Sequence, residues 1–172
     1  MNLKHHQYLK RIRFALLYLI LFLIYSSQFA GAKIIMSPYL QALTQNSVYV
    51  LVESDKKKDI TIFYQEENSQ TENSCTTTLT NETSERTYIH KIKLSPLKIY
   101  TKYKYWLFDK KGEKYSGEFT TLPPAGSTFR FAIMGDCRSN PEIFAKVVEK
   151  MKEAKPLFSV YLGDLCYSSR YD

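Results

Sequence analysis

Lys102-Tyr103-Lys104-Tyr105-Trp106-Leu107 is the stretch that decides the fold of this chain. Large apolar residues at positions 103, 105 and 107 alternate with lysine at 102 and 104, and a period of two is typical of a strand with one buried face. Similar alternation recurs in four other segments, at residues 48–52, 60–64, 87–93 and 119–121. Turn-rich stretches separate these segments, including residues 54–59, 66–74 and 109–113. The pattern predicts a β-sandwich, with Trp106 and its aromatic neighbours in the core or between domains.

The composition excludes several classes of protein. With 44% hydrophobic and 24% charged residues, the chain has more apolar surface than a disordered protein. The formal net charge is +7, but four of the 24 Lys and Arg residues precede position 33 and no Asp or Glu does. The remaining sequence has 20 basic and 17 acidic residues. This near balance leaves no basic stripe, so we expect no nucleic-acid partner.

The first 32 residues have the three parts of a secretory signal peptide. A basic region, residues 1–13, precedes twelve apolar or aromatic residues at 14–25, and the small-residue site Ala30-Gly31-Ala32 follows. Twelve helical residues rise about 18 Å, less than the ~30 Å hydrocarbon core of a membrane. We therefore predict cleavage after Ala32 and a secreted protein, extracellular or periplasmic. The alternative is an uncleaved helix that anchors the chain in a membrane.

Three cysteines, Cys75, Cys137 and Cys166, lie beyond this segment. In an oxidising compartment they allow one disulfide and one odd thiol, or small half-buried thiols, and the sequence leaves the choice open. Three are too few for a disulfide scaffold, so burial of apolar residues must stabilise the fold.

The character of the chain changes after residues 123–127, a short linker rich in Pro, Gly and Ser. Apolar runs at residues 129–134 and 158–162 each end in Gly-Asp. Between them, Asn140 and Pro141 suit the N-cap and first position of a helix, and an apolar stripe at helical spacing follows. Strand, helix and strand in this order predict two parallel strands joined by a right-handed crossover.

The two Gly-Asp pairs predict a metal site. Asp136 and Asp164 would emerge at one edge of the sheet, where open α/β sheets bind their ligands. Adjacent carboxylates repel unless a cation or a proton lies between them, and hard cations prefer oxygen ligands. Tyr167, three residues after Asp164, adds a phenol oxygen. Arg138 follows at the mouth of this site and either contacts a phosphate or is a solvated charge at the helix entry.

Several motifs resemble those of the purple acid phosphatases, a branch of the metallophosphoesterase superfamily. In the sandwich they are Ser37-Pro38-Tyr39-Leu40-Gln41, Leu97-Lys98-Ile99-Tyr100-Thr101-Lys102-Tyr103-Lys104-Tyr105 and Phe119-Thr120-Thr121-Leu122-Pro123-Pro124. In the tail, Gly135-Asp136 and Gly163-Asp164-Leu165-Cys166-Tyr167 resemble the first two metal motifs. Ile99 stands where the family usually has Pro, and Val52 where it usually has Trp.

The resemblance implies a fold and a function. The sandwich would be a fibronectin type III-like domain, followed by the first βαβ unit of an incomplete α/β metallophosphoesterase domain. The implied activity is hydrolysis of phosphate monoesters at a dinuclear centre that pairs Fe(III) with a divalent Fe, Zn or Mn ion. Asp136 would bind the first metal, Asp164 would bridge both metals, and Tyr167 would bind Fe(III).

This family completes its site with an Asn-His motif and further histidines downstream. The sequence to Asp172 has no Asn-His motif and no histidine after His90. His90 is expected on a strand face rather than at a metal. We therefore expect an N-terminal fragment that is inactive alone. Its expected organisation is a signal peptide at residues 1–32, the sandwich at 33–122, the linker at 123–127 and a truncated phosphoesterase domain at 128–172. The alternative function is a non-catalytic exported binding module with a vestigial α/β tail.

Overall fold

A computed structural model describes residues 31–136 and 140–163 of the chain. Ten strands and one helix lie within these residues. The strands are β1 Ile34–Gln41, β2 Val48–Ser54, β3 Thr61–Glu66, β4 Asn73–Thr76, β5 Leu79–Glu82, β6 Tyr88–Leu94, β7 Lys102–Phe108, β8 Lys114–Thr120, β9 Ala132–Met134 and β10 Ser159–Tyr161, and the helix is α1 Pro141–Glu153. No helix in the described ranges is long and apolar enough to cross a membrane.

Eight of the strands form two antiparallel sheets of four strands each. One sheet has the order β1-β2-β6-β5 and the other β4-β3-β7-β8. One face of each sheet supplies residues to a shared hydrophobic core. The β-sandwich predicted from the sequence is therefore confirmed.

The core is built from alternate residues of the strands. Val48, Val50 and Val52 of β2 are fully buried, and the register sets Val50 opposite Ile92 of β6. The other sheet contributes residues of the same kind: Ile62, Tyr64, Tyr103, Tyr105, Leu107 and Phe119. Because apolar area removed from water stabilises a fold by about 25 cal/mol per Å², these inward side chains are the main source of stability.

Aromatic rings fill one part of this core. The ring centroids of Tyr103 and Phe119 lie 5.5 Å apart with nearly parallel planes, and the Tyr103 hydroxyl accepts a hydrogen bond of 2.9 Å from Lys98 N–H. Tyr105 of β7 lies directly opposite Gly117 of β8. A β-carbon at position 117 would lie 2.5 Å from Tyr105 Oη. Only glycine leaves room for this ring.

Trp106 corrects one expectation, because it lies on the outer face of its sheet. Its neighbours Tyr105 and Leu107 point inward and are buried, whereas Trp106 is half-buried. Its ring pairs with Phe63 of β3 at 6.3 Å between centroids, and Lys114 Nζ lies 5.1 Å from the ring centroid. The period of the strand decides the side on which Trp106 lies, despite its large apolar ring.

Strands β4 and β5 correct a second expectation. The sequence predicted a turn-rich stretch at residues 66–74 and no strand at residues 79–82, but β4 begins at Asn73 and β5 covers Leu79–Glu82. Both are four-residue strands with mostly exposed side chains, and each forms one edge of its sheet. Neither carries the apolar alternation by which a strand is identified in a sequence.

The remaining elements follow the sandwich in the chain. Strand β9 pairs in parallel with β10, with Ile133 opposite Val160. Helix α1 connects them. Asn140 is its N-cap, whose side-chain oxygen accepts a hydrogen bond of 3.1 Å from Ile143 N–H, and Pro141 occupies the first turn. This cap satisfies a backbone donor that the helix leaves without a partner.

Candidate functional site

The carboxyl ends of β9 and β10 lie side by side. Leu162 N–H donates a hydrogen bond of 2.8 Å to Met134 O, and Asp136 N–H donates one of 3.1 Å to Gly163 O. These bonds continue the parallel pairing beyond the last strand residues. Gly135, Asp136 and Gly163 therefore share one edge of the two-stranded sheet.

The left-handed backbone conformation at this edge belongs to Asp136 in the first Gly-Asp pair and to Gly163 in the second. In the first pair the left-handed conformation belongs to Asp136, with φ of 54°. Gly135 instead allows close approach, because a β-carbon there would lie 3.2 Å from Leu162 Cβ. In the second pair Gly163 itself has φ of 101°, a region that strongly favours glycine. Asp is one of the few other residues that adopt the left-handed conformation readily.

A cavity of about 330 Å³ lies beside Asp136. Its lining is mostly apolar and comes from the end of β9 and the start of α1: Met134, Gly135, Asp136, Asn140, Ile143, Phe144 and Val147. Ile143 and Val147 are 57% and 42% exposed. The cavity therefore combines one carboxylate with an open apolar wall.

Of the predicted site residues, only Asp136 lies in the described part of the chain, where it is exposed at the sheet edge. Asp164, Tyr167 and Arg138 lie outside the described residues, as do Cys137 and Cys166. Within residues 31–136 and 140–163, no group of three or more His, Cys, Asp or Glu side chains is close enough to hold a metal ion. The contact between Asp136 N–H and Gly163 O has no signature in the sequence, because it joins two backbone groups.

His90 lies in β6 with no solvent exposure. Its Nε2 is 2.8 Å from Ser54 Oγ and its Nδ1 is 3.1 Å from Thr80 Oγ1. Ser54 Oγ also donates a hydrogen bond of 2.9 Å to Lys56 O, so it accepts from Nε2–H, and Nδ1 accepts from the Thr80 hydroxyl. Burial lowers the pKa of His90, although the Lys56 carbonyl and the Asp59 carboxylate act in the opposite direction. Both ring nitrogens therefore form hydrogen bonds with hydroxyl groups of the sandwich.

Cys75, on β4, is a free thiol. It lies next to the Tyr64 hydroxyl in the neighbouring strand, and burial, with the adjacent thiol, raises the pKa of Tyr64 to about 12. Tyr64 therefore stays protonated at physiological pH.

Comparison with known proteins corrects the family assignment. No protein-family model matches the chain, and no curated protein matches it. Among solved structures, the chain is similar to the sensor domain of the anti-sigma factor RsgI4 from Pseudobacteroides cellulosolvens, with 15% identity and a TM-score of 0.41. The match covers 56% of this chain and 95% of the sensor domain. The assignment to the purple acid phosphatases is therefore wrong.

The motifs behind that assignment have a simpler physical origin. Tyr103 and Tyr105 are buried while Lys104 is exposed, which is the alternation that any strand with one buried face requires. Gly-Asp after an apolar run is similarly common where a strand gives way to a turn.

Proposed function

We propose that β9, α1 and β10 form part of a metal-dependent phosphoesterase site in an exported protein. The observation that supports this most strongly is the hydrogen bond between Asp136 N–H and Gly163 O. It brings the ends of two parallel strands to one point of the sheet edge, which is where open α/β sheets bind ligands. Asp164 follows Gly163 in the sequence, so two carboxylate residues belong to adjoining backbone segments.

The donor atoms suit a hard cation. Asp136, Asp164 and Tyr167 offer carboxylate and phenol oxygens, and these are the ligands that hard cations prefer. When bound, a divalent or trivalent cation polarises a phosphoryl oxygen as a Lewis acid. Three side chains supply fewer ligands than the ~6 that such ions usually take. We therefore expect weak metal binding and hydrolysis near background from these residues alone, with further ligands required for full activity.

We also infer that the sandwich is fibronectin type III-like and that residues 128–172 belong to an α/β unit. The sheet order β1-β2-β6-β5 opposite β4-β3-β7-β8 supports the first inference, because immunoglobulin-like sandwiches have this division of strands. Exposed apolar residues support the second, since Ile133 and Leu162 are 56% and 72% exposed. Further elements of an α/β sheet would cover such residues.

Metal titration of the whole chain tests the proposed site. Mn²⁺ or Zn²⁺ binding is measured by calorimetry, and hydrolysis of p-nitrophenyl phosphate is expected to stay near background. Asp136→Asn should weaken binding by at least about tenfold, because it removes a charged ligand. Asn also tolerates the left-handed φ of 54° at this position, so the backbone is preserved. The matched control is Glu142→Gln, which removes an acidic group in the first turn of α1 and should leave binding unchanged.

The phosphoesterase proposal fails if the chain binds neither ion or if Asp136→Asn binds as tightly as the unchanged protein. The second candidate function, a non-catalytic exported binding module, would then be favoured. It is supported by the sandwich, whose fourteen-residue core is formed without any contribution from β9, α1 or β10.

A further inference from the structure

The backbone nitrogen of Lys33 lies against a carboxylate. Lys33 N–H donates a hydrogen bond of 2.7 Å to Asp55 Oδ1, and Asp55 N–H donates one of 3.0 Å to Lys33 O. Lys33 immediately precedes β1, and Asp55 immediately follows β2. This reciprocal pair joins the first residues of the sandwich to the end of the neighbouring strand.

A cation approaches the same carboxylate from the turn between β7 and β8. Lys110 Nζ lies 3.3 Å from Asp55 Oδ2, and the two side chains are 33% and 28% exposed. Partial burial alone would raise the pKa of Asp55. The hydrogen bond from Lys33 N–H and the ion pair with Lys110 outweigh that effect and lower the pKa. The charge of the neighbouring Lys56 acts in the same direction, so Asp55 is ionised at neutral pH.

We propose that Asp55 is the acceptor for the α-ammonium group that cleavage after Ala32 creates on Lys33. Hydrolysis adds water across the Ala32–Lys33 peptide bond, so Ala32 keeps a carboxylate and the Lys33 nitrogen becomes an ammonium group. That nitrogen is the atom already 2.7 Å from Asp55 Oδ1. The hydrogen bond of the precursor becomes an ion pair in the processed chain. The inference rests on export of the protein and on the small-residue site Ala30-Gly31-Ala32.

The contacts of Ala32 indicate when cleavage takes place. Ala32 is 7% exposed, and its carbonyl accepts a hydrogen bond of 3.1 Å from Lys110 N–H. Gly31 packs beside the same turn, because a β-carbon there would lie 3.0 Å from Lys110 Cα. Both sides of the Ala32–Lys33 bond are thus engaged once the sandwich is folded. A protease needs an extended, accessible segment, so cleavage precedes folding, and folding then places the new ammonium group on Asp55.

Chains that differ only at the N-terminus test this ion pair. One begins at Lys33, a matched control begins at Gly31, and both continue to Asp172. The α-amino pKa, measured by NMR titration, should be raised by about one unit above its ordinary 7.7–8.0 in the Lys33 chain and unshifted in the Gly31 chain. Because the pKa is raised in the folded state, the added stability is present below about pH 8 and is lost as pH rises through the folded value.

Two variants of the Lys33 chain identify the partner. Asp55→Asn should abolish the shift of the α-amino pKa, whereas Lys110→Gln should preserve or enlarge it, because a competing cation is removed. An ordinary α-amino pKa in the Lys33 chain overturns the proposal, as does a shift that persists in Asp55→Asn. Should Asp55→Asn not fold, the comparison with the Gly31 chain decides. N-terminal sequencing of the exported protein separately tests the cleavage position: Lys33 supports the proposal, and any other first residue overturns it.

Discussion

Tyr103 combines a buried ring with a satisfied hydroxyl group. The side chain is 3% exposed, its ring packs against Phe119, and its hydroxyl accepts the hydrogen bond from Lys98 N–H. The hydroxyl thus pairs with a backbone donor in the loop before β7. One residue therefore stabilises both the core and the approach to a strand.

Replacement of Tyr103 separates these two contributions. Tyr103→Ala should lower the free energy of unfolding by about 3–5 kcal/mol, through lost apolar burial and the cavity that remains. Tyr103→Phe keeps the ring and removes the hydrogen bond, so it should cost about 1 kcal/mol. Urea denaturation followed by circular dichroism measures both. Equal losses for the two variants would contradict the packing of the ring.

Asp136 shows how much of a candidate site can be predicted for a single residue. Its position after an apolar strand was evident from the sequence, because Gly-Asp interrupts the run at residues 129–134. Its left-handed backbone and its bond to Gly163 O were not, since the bond joins it to a residue that lies 27 positions further along the chain. Long-range backbone contacts leave no local pattern in a sequence.

At the scale of elements, His90 connects three strands of one sheet. It belongs to β6, and its ring nitrogens bond Ser54 at the end of β2 and Thr80 of the edge strand β5. Thr80 donates to Nδ1 of the neutral ring, so a proton on that nitrogen would require the Thr80 hydroxyl to rotate and accept instead. Burial opposes the charge that such a proton would bring. The neutral ring is the form that this sheet favours.

The pH dependence of the free energy of unfolding should reveal this preference for the neutral His90 ring. Folding lowers the pKa of His90, so its contribution is complete above the unfolded value of about 6.5 and is lost as pH falls below it. The free energy of unfolding should therefore decline between about pH 7 and pH 5. His90→Gln cannot titrate at this position and should show a shallower decline in parallel urea titrations. Identical slopes for the two proteins would be inconsistent with a buried neutral imidazole.

The sandwich strands that alternation predicted share one property, namely a buried face. Alternation marked the segments that became β2, β3, β6 and β7, and each has buried residues at alternate positions. The strands β4 and β5 lack it, because edge position and exposure impose no such pattern on four residues. Their pairing with β3 and β6, rather than intrinsic propensity, makes them strands.

At the scale of the whole molecule, the sandwich contains its own core. Every residue of the main hydrophobic cluster lies between Ile34 and Phe119. The start of the linker contacts this unit, since Gln45 Nε2 donates a hydrogen bond of 3.0 Å to Pro123 O. The preceding residue also does so, because Leu122 N–H donates a hydrogen bond of 3.0 Å to Thr44 O. Residues 33–124 therefore include the contacts on which folding of the sandwich depends.

We expect residues 33–124 to fold alone and to melt in one cooperative transition, because the two sheets bury each other's apolar faces. Differential scanning calorimetry of this segment, compared with the whole chain, measures the transition. Leu94→Ala, which truncates a fully buried residue, should lower the melting temperature in both proteins. A segment that melts without cooperativity would show that the boundary is wrong.

The contact between Tyr105 and Gly117 has a consequence for how this sequence can diverge. Any β-carbon at position 117 would overlap the Tyr105 side chain, with distances of 2.5 to 2.8 Å to its hydroxyl oxygen and two ring carbons. A lineage can therefore acquire a side chain at position 117 only after position 105 has become smaller. The two positions, twelve residues apart in the chain, are therefore coupled in one direction: position 105 can change alone, whereas a side chain at position 117 requires that change first.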